Sequence, residues 1–108
     1  MSTPMPRVMV PNSAAKDEII QVKSIISHEM ETGLRLDSAG QVIPRKIINR
    51  FQCLYNGTPV FSADFHEAVS ANPFLEFYLR ATESGLLEFI WEEDGGAVYR
   101  LEQHLVVA

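Results

Sequence analysis

The sequence predicts an all-β domain in which two sheets of antiparallel strands pack face to face. Proline and glycine residues recur at short intervals and divide the chain into short runs. Within those runs apolar residues alternate with other residues, which places one set of side chains on one face of each strand. Short alternating runs separated by turn residues are typical of β-sandwiches and barrels. The dividing residues are Pro11, Gly33, Gly40, Pro44, Gly57, Pro59, Pro73, Gly85, Gly95 and Gly96.

Seven runs are predicted to be strands, beginning with an edge strand near Arg7 to Val10. The other six are recognised by apolar residues that share one face at period two. In chain order these sets are Ile20, Val22 and Ile26; Phe51, Cys53 and Tyr55; Phe61, Ala63 and Phe65; Leu75, Phe77 and Leu79; Leu87, Phe89 and Trp91; and Tyr99, Leu101, Leu105 and Val107. About seven strands is the usual content of an immunoglobulin-like antiparallel β-sandwich, which is therefore the predicted fold.

The turns between the runs fit this fold. Asn56–Gly57 stands between two β-rich runs and is a strong hairpin signal. Ser84–Gly85 and Asp94–Gly96 mark two further turns. The one segment that could form a helical turn, His66–Asn72, is short.

A polar excursion from His28 to Arg45 interrupts the regular spacing. Connections in compact domains are mostly about 4–6 residues long, so this one is unusual. Leu34–Leu36 and Gln41–Ile43 flank Asp37–Gly40, which predicts a small hairpin that projects from the sandwich. Such a projection is either a contact surface for another molecule or a decorated loop that packs on its own domain.

Length and composition exclude several classes of function. The chain has 108 residues, of which 46% are hydrophobic and 21% charged, as expected of one globular domain. We expect one domain over residues 1–108, with a flexible N-terminus through about residue 6. The net charge is −5 and the basic residues are scattered, so nucleic-acid binding is not expected. The sequence shows no apolar run approaching the roughly 18 residues of a membrane span, and no apolar core of a signal peptide.

Few side chains suggest catalytic or metal chemistry. Cys53 is the only cysteine and stands in the predicted core phase, where a free cysteine behaves as a small apolar residue. Trp91 also falls in the core phase. The spacings of His28, His66 and His104 are not those of a metal site.

Carboxylates stand together at two predicted turns, Glu29 with Glu31 and the run Glu92–Asp94. Carboxylates at turns are usually solvated, and nothing in the sequence predicts a cleft in which two of them converge. We therefore expect no catalytic residue, no cofactor and no metal site.

A basic pair, Arg45 and Lys46, stands beside Ile47 and Ile48 at the end of the excursion. This pattern fits either a contact patch for a partner or an anion, or a solvated strand start.

Four blocks of the sequence resemble one family, the Z subunits of the sulfur-carrier protein of the thiosulfate-oxidising Sox system. Together they cover most of the chain from Val8 onward. The blocks are ISHEMETG, IPRKIINRFQCLYNGTPVFSADF, SANPFLEFYL and SGLLEFIWEEDGGAVY.

This resemblance implies a non-catalytic subunit with an immunoglobulin-like fold that forms a heterodimer with a Y subunit. In that family the Y subunit carries sulfur intermediates on a cysteine near the end of a flexible Gly-Gly-Cys-Gly-Gly arm. The resemblance also implies transient contacts with Sox enzymes, and exposed strand edges suggest a homodimer of the isolated chain. The family works in the periplasm. Because this chain shows no export signal, the resemblance implies co-export with a partner that carries a twin-arginine signal.

The resemblance further implies that the blocks around the excursion support the partner interface. The residues assigned to this interface are His28, Met30, Glu31, Arg45, Lys46, Ile47, Ile48 and Asn49. Two other classes of function remain open. An immunoglobulin-like module that binds a small ligand or glycan would need exposed aromatic residues on one sheet face. A redox enzyme using Cys53 would need an accessible thiol.

Overall fold

Two β-sheets form the sandwich that the sequence predicts. The structure, a computed structural model, describes residues 3–108, and its strands form a three-stranded sheet of order β1-β3-β6 and a five-stranded sheet of order β2-β8-β7-β4-β5. The strands are β1 (Met5–Met9), β2 (Ser13–Ala14), β3 (Ile19–Ser27), β4 (Ile48–Tyr55), β5 (Thr58–Asp64), β6 (Phe74–Arg80), β7 (Gly85–Glu93) and β8 (Val98–Val107). All the pairings are antiparallel except the short one between β2 and β8. The predicted immunoglobulin-like fold is confirmed.

Two local features differ from the sequence prediction. The two-residue strand β2 pairs with β8 through Ser13 and Ala14, and it is too short to show any alternation in sequence. His66–Asn72 forms a turn, in which the Val69 N–H donates to the His66 carbonyl at 3.0 Å, and residues 3–108 contain no helix.

Strand β1 begins at Met5, inside the segment through about residue 6 for which we expected flexibility. The Met5 N–H donates to the Ser27 hydroxyl at 2.8 Å, and Met5 and Pro6 pair with the end of β3. Residues 1 and 2 lie outside the described part of the chain.

The core lies between the two sheets and is centred on aromatic rings. Phe51 and Trp91 of the five-stranded sheet are fully buried, with ring centroids 5.1 Å apart. Phe51 also packs at 6.1 Å against Phe77 of the three-stranded sheet. The ring of Phe61 stacks on Phe77 at 4.2 Å with an interplanar angle of 2°. Each such pair contributes about 0.5–1.5 kcal/mol beyond the area it buries, so these rings hold the two sheets together.

The predicted projecting hairpin spans residues 31–46, between β3 and β4. Glu31 and Lys46 form an antiparallel bridge at its base, and Leu36 and Val42 form another near its tip. The Asp37 carboxylate accepts two backbone N–H groups of the turn, at 2.9 and 3.0 Å. The hairpin is therefore an ordered extension of the sandwich.

Candidate functional site

Three segments that are far apart in sequence meet at one end of the sandwich, which we call the loop end. They are the stretch after β3 (residues 28–33), the approach to β4 (residues 44–49) and the turn between β7 and β8 (residues 93–97). Backbone bonds join them, because the Glu31 N–H donates to the Lys46 carbonyl at 3.0 Å and the Asp94 N–H donates to the Ile47 carbonyl at 2.9 Å. The hairpin projects from this end.

His28 and Glu93 form a buried pair at the loop end. His28 Nε2 lies 2.6 Å from Glu93 Oε2, and the two side chains are only 5% and 3% exposed. His28 Nδ1 accepts the Met30 backbone N–H at 2.8 Å. In the neutral ring the proton therefore lies on Nε2, which donates a hydrogen bond to the Glu93 carboxylate. Both ring nitrogens are occupied, so His28 has no nitrogen free to act as a base or to bind a metal.

Glu93 also accepts a hydrogen bond from Tyr99 at 3.1 Å and lies 3.8 Å from Lys46 Nζ. Burial raises the pKa of Tyr99, and the hydrogen bond to Glu93 adds to this shift. The prediction that this carboxylate is a solvated turn residue is wrong. Strand β7 continues through Glu93, so its side chain points inward in phase with Phe89 and Trp91.

The carboxylate of Asp94 holds the base of the hairpin in place. It accepts two hydrogen bonds from Arg45, at 2.8 and 3.0 Å, the Ile47 N–H at 3.2 Å and the Asn49 amide at 3.0 Å. Burial raises the pKa of Asp94, but these hydrogen bonds outweigh burial and lower it overall. Arg45 also lies 2.5 Å from Glu67. Asp94 is thus held by several groups at once, whereas the sequence predicted a solvated turn carboxylate.

Met30 has an unusual backbone conformation at this end. Its φ is +55°, which costs an ordinary side chain about 1–2 kcal/mol. Met30 is buried, its N–H is held by His28, and its sulfur accepts the Ile48 N–H at 3.2 Å. The buried contacts around Met30 therefore stabilise a turn that its own backbone disfavours.

All eight residues assigned to the interface lie at the loop end, but at different depths. His28, Met30, Ile47 and Ile48 are buried, Glu31 and Asn49 are half-buried, and Arg45 and Lys46 are exposed. The four buried residues can support a contact surface, and the four half-buried or exposed residues can touch a partner. Sequence reasoning missed Asp94, Glu67 and Glu93 as the groups that organise this region, although the in-phase position of Glu93 was a usable signal.

The projecting hairpin presents apolar side chains to solvent. Leu34 is 83% exposed, Leu36 58% and Val42 61%. At its base, the hydrogen bond from Arg35 lowers the pKa of Glu31, which it contacts at 2.6 Å. Exposed apolar groups on an ordered extension are suited to contact with another molecule.

A cleft of about 510 Å³ opens beside the His28–Glu93 pair. Its charged side chains are Glu29, Glu31, Glu93 and Lys46. Acidic groups outnumber the lysine, so the cleft does not favour an anion. Its other lining residues are Thr3, Pro4, Ser27, His28, Ala71, Asn72 and Tyr99.

Cys53 lies in the centre of the core with no exposed surface. Burial raises the pKa of the Cys53 thiol to about 12. The thiolate, which is the nucleophile and the metal ligand, is therefore disfavoured at neutral pH.

The described residues contain no group of three or more His, Cys, Asp or Glu side chains placed to hold a metal ion. Within the same part of the chain, no helix is long and apolar enough to cross a membrane.

The family model described as "Sulphur oxidation protein SoxZ" matches residues 8–104. The chain belongs to the SoxZ family. Its biochemical setting is therefore sulfur oxidation by the Sox system, and the resemblance of the four sequence blocks is confirmed.

Solved structures share the fold of this SoxZ family member. The sulfur carrier protein SoxY from Chlorobium limicola f thiosulfatophilum superposes with a TM-score of 0.65 at 17% identity, over 95% of this chain and 78% of that one. A superoxide reductase (neelaredoxin) from Ignicoccus hospitalis gives 0.70 at 17% identity, over 95% and 80%. The CARDB domain of a Pyrococcus furiosus protein gives 0.55 at 12%, over 98% and 94%. At these identities the likeness shows a shared fold and transfers no activity. No curated protein sequence matches the chain.

Proposed function

We propose that this chain is the non-catalytic scaffold subunit of a heterodimeric carrier of sulfur compounds in thiosulfate oxidation. Its partner is a Y-type subunit whose C-terminal Gly-Gly-Cys-Gly-Gly arm carries the sulfur intermediates. The observation that carries the proposal is the SoxZ family match over residues 8–104. The chemistry of the described residues agrees with it, because the only thiol is buried and the most buried histidine has both ring nitrogens occupied.

The proposed mechanism is steric and electrostatic. The sandwich packs on the partner, limits where the sulfur-bearing arm can go, and supplies part of the surface on which Sox enzymes dock transiently. A scaffold of this kind needs rigid elements next to its contact groups. The hydrogen bonds around Asp94 and the His28–Glu93 pair provide such rigidity at the loop end.

We place the loop end within the partner interface. Glu31, Arg45 and Lys46 are the contact candidates, because they present charge at the surface. The buried residues beneath them keep these three side chains in position.

The test of the function is co-purification. A tagged chain is expressed with and without a Y-type subunit that ends in the cysteine arm, and the products are weighed by native mass spectrometry. A 1:1 complex is the expected result. A chain that purifies alone in both cases contradicts the proposal. A ligand-binding sandwich then becomes the leading function, since Phe74 and Tyr78 are exposed aromatic residues on one sheet face.

We also propose a periplasmic location, reached by folded co-export with the partner. When the twin-arginine signal of the partner is deleted, this chain is expected to stay in the cytoplasm, as measured by fractionation and immunoblotting. Export of the chain in cells that lack the partner contradicts co-export and leaves the heterodimer proposal standing.

A further inference from the structure

Five exposed large apolar side chains lie on the outer face of the three-stranded sheet. On this face Met5 is 64% exposed, Met9 69%, Ile19 53%, Phe74 54% and Tyr78 65%. Soluble proteins commonly expose single apolar residues, but a contiguous group on one sheet marks a contact surface. We call this surface the β1-β3-β6 face.

Strand register brings part of this group together. Ile25 lies opposite Arg7 on one side and opposite Phe74 on the other, and Met5 lies opposite Ser27 in the next row. Paired residues on neighbouring strands are about 5 Å apart, which places Ile25 beside Phe74. Diagonal neighbours are about 7–8 Å apart, within reach of a long side chain, so Met5 completes an apolar cluster with these two. The cluster lies at the end of the sheet that leads to the loop end, since Ser27 also lines the cleft beside His28.

The same face is positively charged on an acidic protein. It carries Arg7, Lys23 and Arg80 against the single carboxylate of Glu76, whereas the whole chain has a net charge of −5. Within residues 3–108, none of these three cations has a carboxylate within 4.0 Å.

The outer face of the five-stranded sheet differs in this respect. Its arginines form ion pairs, since Arg50 lies 3.3 Å from Asp64 and Arg100 lies 2.7 Å from Glu88. With Glu92 and Glu102 added, carboxylates outnumber arginines on that side. Of the two outer sheet faces, as residues 3–108 describe them, the β1-β3-β6 face is therefore the one whose cations have no carboxylate nearby.

We propose that the β1-β3-β6 face is the main body of the interface with the Y-type subunit, and that the partner meets it with an apolar centre and an acidic rim. This inference rests on the proposed function and adds where the heterodimer forms. Charge complementarity favours such a partner. Two copies of this chain packed through the same face would oppose like charges, which disfavours a homodimer there.

The size of the face explains why the loop end also takes part. Three strands of about seven residues cover roughly 14 by 23 Å, or roughly 320 Å² in projection. A stable interface buries about 800 Å² on each partner. The interface therefore continues from the Met5, Ile25 and Phe74 cluster across Ser27 onto the loop end.

The test measures the affinity for the Y-type subunit by isothermal titration calorimetry. The double variant F74S with Y78S removes two exposed aromatic residues without touching the core. The matched control is V60S with V106S, two valines of the other sheet that are 40% and 56% exposed. We expect the aromatic variant to bind roughly 100-fold more weakly, and the control to bind within about threefold of the parent chain.

A second variant keeps the test decisive if the aromatic variant folds poorly. R7E with R80E reverses two rim charges and leaves the apolar centre intact. Association is expected to slow by roughly tenfold at low salt, and its dependence on ionic strength is expected to weaken or reverse. Stopped-flow binding measures both effects.

The outcomes separate the two proposals. If the parent chain binds the partner and both face variants bind equally well, the interface assignment is overturned and the proposed function stands. If the parent chain binds no partner, the proposed function fails and this inference fails with it. If F74S with Y78S abolishes a homodimer of the isolated chain but leaves partner binding unchanged, the occupant is a second copy and the inference is wrong.

Discussion

Replacing His28 with alanine tests whether the buried pair supports the loop end. The substitution removes the hydrogen bond to the Glu93 carboxylate and the one that holds the Met30 N–H, both within buried structure. A hydrogen bond to a charged group contributes about 1.5–3 kcal/mol and a neutral one about 1 kcal/mol. The expected loss in the free energy of unfolding is therefore about 2.5–4 kcal/mol, which is a large part of the roughly 5–15 kcal/mol of a typical domain.

Urea denaturation followed by tryptophan fluorescence measures this loss, because the single Trp91 is buried in the core. In thermal unfolding the same change corresponds to a drop in Tm of roughly 15 °C. Two control variants are measured beside H28A. H104A alters an exposed histidine and is expected to stay within about 0.5 kcal/mol of the parent chain. E93Q keeps an acceptor for His28 and is expected to lose only about 1 kcal/mol.

An H28A chain that unfolds within about 1 kcal/mol of the parent chain, with an unchanged denaturant slope, would show that the buried pair does not support the loop end. An E93Q chain that loses as much free energy of unfolding as H28A would contradict the role of Glu93 as a hydrogen-bond acceptor for His28.

Three further predictions concern single groups. The pKa of Asp94 is lowered in the folded protein, so its ionised form stabilises the fold. This stabilisation is complete above about pH 4 and is lost as the pH falls through the lowered pKa. The D94N variant should show a smaller loss of stability at acid pH, as measured by urea melts at several pH values. Burial raises the pKa of the Cys53 thiol to about 12, so a bulky thiol reagent at pH 8 should label it only after denaturant is added, and rapid labelling of the native protein would contradict the core placement. Gly33 has φ +83° and a Cβ there would meet the Arg45 Cβ at 3.1 Å, whereas Gly40 at φ +78° faces open space. G33A should therefore lose more stability in urea melts than G40A, which carries only the backbone penalty of about 1–2 kcal/mol. Equal losses would show that Arg45 moves aside at no cost.

The sequence was sufficient to predict the sandwich, because a strand places alternate residues on opposite faces wherever it lies in the fold. Phe51, Phe77, Phe89 and Trp91 were each assigned to the core by phase alone, and each is buried. The two-residue strand β2 was beyond such reasoning, since it is too short to carry a pattern.

The family was also accessible from the sequence, because four long blocks in the right order resemble it. The residues assigned to the interface all lie at one end of the fold, but the sequence pattern did not reveal how deeply each is buried. Ile47 and Ile48 follow a basic pair and read equally well as contact residues, but both are fully buried.

Which distant side chains meet depends on the tertiary structure. His28 and Glu93 are 65 positions apart, and Arg45 and Asp94 are 49 apart. Their contacts depend on how the chain crosses from one sheet to the other and on strand register, and neither is encoded locally. The β1-β3-β6 face arises in the same way, because Arg7, Ile25 and Phe74 become neighbours only when three strands from separate parts of the chain align. Local alternation thus determined which side chains point inward, and long-range pairing determined what each of them touches.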